Sequence, residues 1–127
     1  MNLNYIKTEN APGAVGPYSQ GITFGDFVYT SGQLPINPET GELVSQDIQE
    51  ATRVALNNVK AVLEAGGASL ENVIKVTVFV KNMDDFSKIN EVYSEYFTDH
   101  KPARSLVEVA RLPKDGVIEI EAIAHKK

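Results

Sequence analysis

The sequence predicts an α+β domain in which one mixed, mostly antiparallel sheet carries two helices on one of its faces. Two segments with helical periodicity, residues 47–65 and 84–97, alternate with short segments that have the composition of β-strands. The order along the chain is hairpin, helix, strand, helix and a final pair of strands. The 127 residues contain no internal repeat or linker, so we expect one domain over residues 1–127.

Three short strands are expected in the N-terminal part of the chain, over residues 3–8, 22–24 and 27–31. Gly25 and Asp26 separate the second from the third, which is typical of a hairpin turn. Residues 9–21 are rich in glycine and proline, so they cannot form regular helix or a central strand. Long ordered loops in compact domains are often functional, which makes this loop a candidate part of a site.

The first helix is bounded by clear signals, since Asp47 and Glu50 fit a capping box and Gly66-Gly67 ends the helix after residue 65. The second helix carries an apolar stripe of Phe86, Ile89, Tyr93 and Phe97. Between the helices, residues 73–80 are almost wholly apolar, which predicts a strand covered on both faces. The last two strands are expected to form a hairpin, over residues 105–111 and 117–124.

Composition excludes several classes of function. The net charge of −5 and pI near 5.0 argue against a nucleic-acid-binding protein. The absence of cysteine excludes disulfides, thiolate catalysis and cysteine-based zinc sites. His100 and His125 make no metal-ligand pattern, and no apolar stretch approaches the roughly 20 residues that span a bilayer. We therefore expect a cytoplasmic protein that uses neither a metal nor a membrane.

Two charged residues stand out in the C-terminal strands, Arg104 at the entrance of one and Glu119 within the other. A partly desolvated guanidinium suits bidentate binding of a carboxylate or phosphate, although a strand-end arginine is also common in structural ion pairs. A carboxylate facing a cleft could transfer a proton or orient a water molecule. The alternative for Glu119 is a solvated sheet face, which the neighbouring Glu121 supports.

If the last two strands pair as a hairpin, their register fixes the relative positions of Arg104 and Glu119 on the sheet. If Arg111 pairs with Gly116 across the turn, Arg104 and Glu119 share a face of the sheet and lie roughly 13 Å apart along it. A small molecule between them could then contact both side chains. A slip of one residue in the register would put them on opposite faces.

Four further residues are candidates for a site. Asn90 lies on the stripe of the second helix, where a buried amide needs partners, or else at its edge in contact with water. Tyr18 lies in the long loop and could also be an aromatic plug that ties the loop to the core. Ser31 could offer a hydroxyl, with Gly32 allowing close approach of the backbone, or it could be an ordinary turn residue.

Five segments in order resemble the RidA/YjgF family of enamine/imine deaminases. They are GPYSQG at 16–21, YTSGQLPINPETGEL at 29–43, NVKAVLEAGG at 58–67, VTVFVKNMDDFSKIN at 76–90 and PARSLVEVARLPKDGVIEIEAIA at 102–124. The resemblance covers nearly the whole chain. It implies a chorismate-mutase-like fold, assembled as a homotrimer whose sheets form an inner barrel with three clefts between subunits.

The resemblance also implies a reaction. Similar proteins hydrolyse 2-aminoacrylate or 2-aminocrotonate, released by pyridoxal-phosphate-dependent dehydratases, to 2-oxo acids and ammonia without a cofactor. It implies that Arg104 binds the substrate carboxylate, that Glu119 activates water with Tyr18 beside it, and that further residues contact the substrate: Ser31, Gly32, Asn90 and position 106. Many members have cysteine at position 106, where this chain has Leu106. A backbone contact survives that change and a thiol contact does not.

Two other functions remain open at this point. A non-catalytic trimer could bind 2-oxo acids or related carboxylates as a sensor, using the same Arg104. Glu119 separates the two hypotheses, because a pure binder has little use for a carboxylate that faces a carboxylate ligand. Some relatives carry the names of ribonuclease or translation inhibitor, and the acidic pI without a basic patch argues against that function here.

Overall fold

The structure is a computed structural model that describes residues 2–127. It contains six strands and two α-helices, in the order β1 (Leu3–Ile6), β2 (Gly21–Phe24), β3 (Phe27–Thr30), α1 (Ile48–Ala65), β4 (Val73–Val80), α2 (Phe86–Tyr96), β5 (Ala103–Glu108) and β6 (Ile118–His125). Three short 3₁₀ segments lie at Leu70–Asn72, Met83–Asp85 and Pro113–Asp115. Among the described residues, no helix combines the length and the apolar character needed to cross a bilayer.

All six strands form one sheet in the order β1-β2-β3-β6-β4-β5. Every neighbouring pair is antiparallel except β4 and β5, which are parallel. The α+β class, the mixed sheet and the N-terminal hairpin at Gly25-Asp26 are therefore confirmed. The predicted strand over residues 73–80 matches β4 at both ends.

Helix α1 follows from its sequence. The side chain of Asp47 caps its first turn by accepting hydrogen bonds from the backbone N–H groups of Gln49 and Glu50. One face of the helix is wholly buried, including Leu56, Val59 and Leu63. This face packs on buried strand residues such as Val28, Val78 and Ile120, which form the single core of the domain. Both helices therefore cover the same face of the sheet, as predicted.

The predicted hairpin between the last two strands is wrong. Strand β4 lies between β5 and β6 and pairs with both. The connection from β5 to β6 instead crosses the end of β4, where the Val109 N–H donates to the Val80 carbonyl at 2.9 Å and the Lys81 N–H donates to the Val117 carbonyl at 3.1 Å. The physical reason is the helix α2, which returns the chain so that β5 enters parallel to β4, as helical crossovers do.

Within residues 2–127, no helix or strand covers the second face of the sheet. We call it the open face. Strand residues opposite one another share a face, so Tyr5, Ile22, Tyr29, Ile123 and Lys75 form one row across it. Tyr5 is 74% exposed and Tyr29 40% exposed. The prediction that β4 is covered on both faces is therefore confirmed for one face only within a single chain. That face is the side toward the helices, where Val76, Val78 and Val80 are buried.

Candidate active site

Arg104 lies at the start of the edge strand β5, with its side chain directed toward helix α2. Its guanidinium donates to the side-chain oxygen of Asn90 at 2.8 Å, and its carbon lies 4.6 Å from the ring centroid of Tyr93 and 5.9 Å from that of Phe86. The described residues 2–127 contain ion pairs within 4.0 Å only at Arg53 and Arg111, and none at Arg104. A half-buried guanidinium held by neutral groups keeps its capacity to bind an anion.

Two further predicted residues belong to this neighbourhood. Asn90 is half-buried, so it lies at the edge of the stripe, and its amide oxygen has a partner because it accepts from Arg104. Leu106 lies two residues after Arg104 on the same face of β5, where its side chain packs against the core. Because that side chain points inward, Leu106 can contact a ligand at the outer edge of β5 through its backbone.

Glu119 lies on the open face, in strand β6. Its side chain passes over Gly32 so closely that a Cβ at that position would lie 2.7 Å from the Glu119 carboxyl carbon. The segment carrying Gly32 is fixed to β6 by two hydrogen bonds between the backbones of Gln33 and Ile120, at 2.7 and 3.1 Å. Gly32 therefore has a physical reason to be glycine, which is the space that Glu119 occupies.

Ser31 joins this neighbourhood to the long N-terminal loop. Its hydroxyl donates to the Ser19 carbonyl at 2.6 Å, and its N–H donates to the Gln20 carbonyl at 2.9 Å. Ser31 and Tyr18 line a cavity of about 400 Å³ on the open side of the sheet. Tyr18 is 52% exposed, so the alternative of an aromatic plug buried in the core is excluded.

The loop is ordered by a buried glutamine. The two N–H donors of the Gln20 side chain are shared among three backbone carbonyls, of Thr8 at 2.9 Å, Ala11 at 3.2 Å and Pro12 at 2.8 Å, and its oxygen accepts from the Thr8 N–H at 2.7 Å. Only 3% of Gln20 is exposed. A side-chain amide that is fully hydrogen-bonded in this way fixes the path of the backbone around it, and hence the position of Tyr18.

The environment of Glu119 favours its neutral form. Burial is the main cause that raises the pKa of this carboxyl above its usual value, and the charge of Glu121 raises it further. The two carboxylates are two residues apart in β6 and therefore share the open face. A carboxyl with a raised pKa is better able to accept and return a proton near neutral pH.

The predicted shared face of Arg104 and Glu119 is wrong. Arg104 is opposite Val76, whereas Glu119 is opposite Phe79, and residues three apart along β4 point to opposite sides of the sheet. One chain thus carries two separate groups. The arginine half-site comprises Arg104, Asn90, Tyr93 and Phe86, and the glutamate half-site comprises Glu119, Gly32, Ser31 and Tyr18.

Sequence reasoning missed Tyr93 and Phe86 as neighbours of Arg104. Both were assigned to the apolar core stripe of α2, yet Phe86 is 42% exposed. The available signal was the spacing of Phe86, Asn90 and Tyr93 at i, i+4 and i+7, which gives them one face of the helix. No group of three or more His, Asp or Glu side chains that could hold a metal occurs within residues 2–127.

Comparison with known proteins identifies the family. The family model described as Endoribonuclease L-PSP matches residues 8–126. A 2-iminobutanoate/2-iminopropanoate deaminase of Escherichia coli is 54% identical over 125 residues, which cover 96% of this chain and 97% of the relative. The chain belongs to the RidA/YjgF family. The resemblance noted in the five sequence segments is thereby confirmed.

Other members of the RidA/YjgF family agree in sequence and fold. A RutC family protein of Pyrococcus horikoshii is 62% identical over 96% of this chain and 97% of its own length. The solved structure of E. coli TdcF with bound serine has a TM-score of 0.93 at 50% identity, covering 98% of this chain and 99% of TdcF. The YjgF gene product of E. coli also has a TM-score of 0.93, at 52% identity, with 98% and 99% of the two chains covered.

Proposed function

We propose that this protein hydrolyses the enamine and imine forms of 2-aminoacrylate and 2-aminocrotonate to 2-oxo acids and ammonia. The observation that carries the proposal is the state of Arg104, whose half-buried guanidinium is held by an amide and two aromatic rings and is paired with no carboxylate among residues 2–127. Such a group suits a small carboxylate ligand. The name of the E. coli deaminase, at 54% identity, supports the same activity.

The complete site requires, in our proposal, two copies of the chain. Arg104 and Glu119 point away from each other within one copy. A homotrimer, as the family resemblance implies, would bring the arginine half-site of one subunit to the glutamate half-site of its neighbour. Two features support such an assembly: the uncovered open face with exposed Tyr5 and Tyr29, and the unpaired outer edge of β5.

The proposed chemistry assigns a step to each half-site. Arg104 binds the substrate carboxylate, an interaction whose loss costs about 2–5 kcal/mol in desolvated pairs. A water molecule held by Glu119 attacks the imine carbon and forms the new C–O bond as Glu119 takes its proton. That proton passes to the imine nitrogen, which gives a carbinolamine. Glu119 then takes the proton of the new hydroxyl and delivers it to the amino nitrogen, the C–N bond breaks, and ammonia leaves as the carbonyl forms. Positioned acid–base catalysis of this kind accelerates reactions by roughly 10²–10⁴-fold.

The smaller members of the site have supporting roles in this proposal. Tyr18 would direct its hydroxyl toward the reacting nitrogen and water from the cavity that it lines with Ser31. The Ser31 hydroxyl donates to the Ser19 carbonyl, so its oxygen would accept a hydrogen bond from the same groups. Gly32 would leave room for the Glu119 carboxyl. Leu106, with its side chain in the core, would contribute a backbone contact, so the absence of the common cysteine leaves binding of the carboxylate intact.

A coupled assay tests the proposal. Threonine dehydratase releases 2-aminocrotonate, and formation of 2-oxobutyrate is followed with and without this protein. We expect faster release of 2-oxobutyrate, lost in Arg104→Ala. No acceleration by wild-type protein that still binds 2-oxobutyrate would favour the sensor function instead. Cleavage of single-stranded RNA in place of acceleration would favour the activity in the name of the family model.

A further inference from the structure

The proposed reaction assigns no step to Tyr93, the ring of the arginine half-site that lies nearest to Arg104. Its ring lies beneath the Arg104 guanidinium, with 4.6 Å between the ring centroid and the guanidinium carbon. On its other side, Tyr93 packs against the core and against Phe97, at 4.8 Å between ring centroids. Tyr93 thus separates the charged group from the hydrophobic interior and offers it an aromatic face.

The hydroxyl of Tyr93 does not explain its presence. The oxygen is buried and has no hydrogen-bond partner among the described residues. Burial raises the pKa of Tyr93, and the opposing effect of the Arg104 charge is smaller. The phenol therefore remains protonated near neutral pH and cannot act as a counter-ion for Arg104. What remains in contact with the guanidinium is the ring.

The Tyr93 ring is one of three side chains on one face of α2 that approach the Arg104 guanidinium. Asn90 accepts from one terminal nitrogen of Arg104 at 2.8 Å, while Tyr93 and Phe86 lie on the guanidinium at 4.6 and 5.9 Å. A hydrogen bond to the Asn90 amide and a contact with the Tyr93 ring together restrict the conformations open to the guanidinium. Asn90 accepts from one nitrogen of the Arg104 side chain, and the remaining donors are available to a ligand.

We infer that Tyr93 is a positioning residue whose ring, and not its hydroxyl, holds the Arg104 guanidinium in the orientation that binds the substrate carboxylate. The inference rests on the proposed function of Arg104. It assigns Tyr93 no contact with the reacting atoms. Loss of the ring should therefore weaken binding of any small carboxylate and leave the proton-transfer step at Glu119 unaltered.

Binding of 2-oxobutyrate, measured by titration calorimetry, provides the test. We expect Tyr93→Phe to bind within about twofold of wild type, and Tyr93→Met, which keeps a long apolar side chain without the ring, to bind about tenfold more weakly. Tyr96→Met is the matched control, because Tyr96 lies on the same helix and hydrogen-bonds Asn57 instead of approaching Arg104. In the coupled assay, Tyr93→Met should raise KM and leave kcat near the wild-type value.

Two results would overturn the inference. One is binding by folded Tyr93→Met that equals wild type, and the other is a loss of binding in Tyr93→Phe as large as in Tyr93→Met. If Tyr93→Met fails to fold, the chemical shift of the Arg104 Nε–H in the wild-type protein tests the inference instead. An aromatic ring against the guanidinium shifts this resonance upfield, and an unshifted resonance would contradict the inference. That resonance also separates this inference from the proposed function, which fails instead if wild-type protein does not accelerate the release of 2-oxobutyrate in the coupled assay.

Discussion

Arg104 and Glu119 lie on opposite faces of one sheet, with strand β4 between the strands that carry them. Arg104 points to the side covered by α2, and Glu119 points to the open face. A single chain therefore holds two half-sites that cannot act on one small molecule together. This relationship explains why a chain with both residues still needs a second copy of itself in the proposed reaction.

Removal of the guanidinium should abolish binding of the carboxylate. We expect Arg104→Met to lower kcat/KM in the coupled assay by about a hundredfold or more, since truncating one partner of a desolvated pair costs several kcal/mol. Arg104→Lys should recover only part of this loss, because an ammonium keeps the charge without the planar fork. The matched control is Arg111→Met, at an arginine whose side chain is 78% exposed and pairs with Asp115. Equal losses in Arg104→Met and Arg111→Met would contradict the assignment.

Removing the charge of Glu119 should abolish activity and raise the free energy of unfolding above neutral pH. Its raised pKa means that the folded chain binds this proton more tightly than the unfolded chain does. The contribution of Glu119 to the free energy of unfolding is therefore fully present below the unfolded pKa and is lost as pH rises through the folded pKa. We expect Glu119→Gln to be inactive, more stable than wild type at pH 8, and similar to wild type near pH 4. Urea unfolding at the two pH values measures this, and lower stability of Glu119→Gln at pH 8 would refute it.

The charge of Glu121 should set part of the acidic limb of the pH–rate profile. Glu121 is the second cause, after burial, of the raised pKa of Glu119. If ionised Glu119 is the base, activity falls as pH drops through that pKa, and Glu121→Gln should move the fall to lower pH. Burial persists in this variant, so the midpoint should stay above the ordinary value of 4.5. Glu39→Gln, at an exposed turn residue, is the control and should leave the profile unchanged.

Loss of the Gln20 amide should disorder the loop that carries Tyr18. In Gln20→Ala, three carbonyls and one N–H lose their partner in a largely buried place, which costs about 1–3 kcal/mol for each group left unsatisfied. We expect a fall in the free energy of unfolding of about 2 kcal/mol or more, and faster hydrogen exchange at residues 8–20. The exposed Gln46 offers a matched control in Gln46→Ala. Unchanged exchange in the loop would show that Gln20 does not organise it.

Local signals predicted the elements well because each depends on neighbouring residues. The cap at Asp47, the hairpin at Gly25-Asp26 and the bounds of β4 all follow from short-range chemistry. The order of the strands in the sheet does not follow from short-range chemistry. The hairpin that placed Arg104 beside Glu119 was an inference about which strands pair, and alternation along a strand carries no information about the partner strand.

The residues named for the site remain a prediction, and their arrangement on the two faces of the sheet was missed. Asn90 was a candidate because an amide on an apolar stripe needs a partner, and Arg104 is that partner. Tyr93 was assigned to the core because helical periodicity cannot distinguish a ring that packs on aliphatic side chains from one that also supports a guanidinium. The second copy of the chain, which we propose completes the site, lies beyond what the pattern of one chain can specify.

The most direct test of a site shared between subunits is complementation of two inactive variants. Arg104→Ala and Glu119→Ala are each purified, mixed in equal amounts, unfolded and refolded together, and assayed for release of 2-oxobutyrate. Every trimer that contains both variants would hold one cleft with an intact arginine and an intact glutamate, so the mixture should regain about a quarter of wild-type activity. Activity that stays at the level of the separate variants, in a mixture shown by mass spectrometry to contain mixed trimers, would contradict the account.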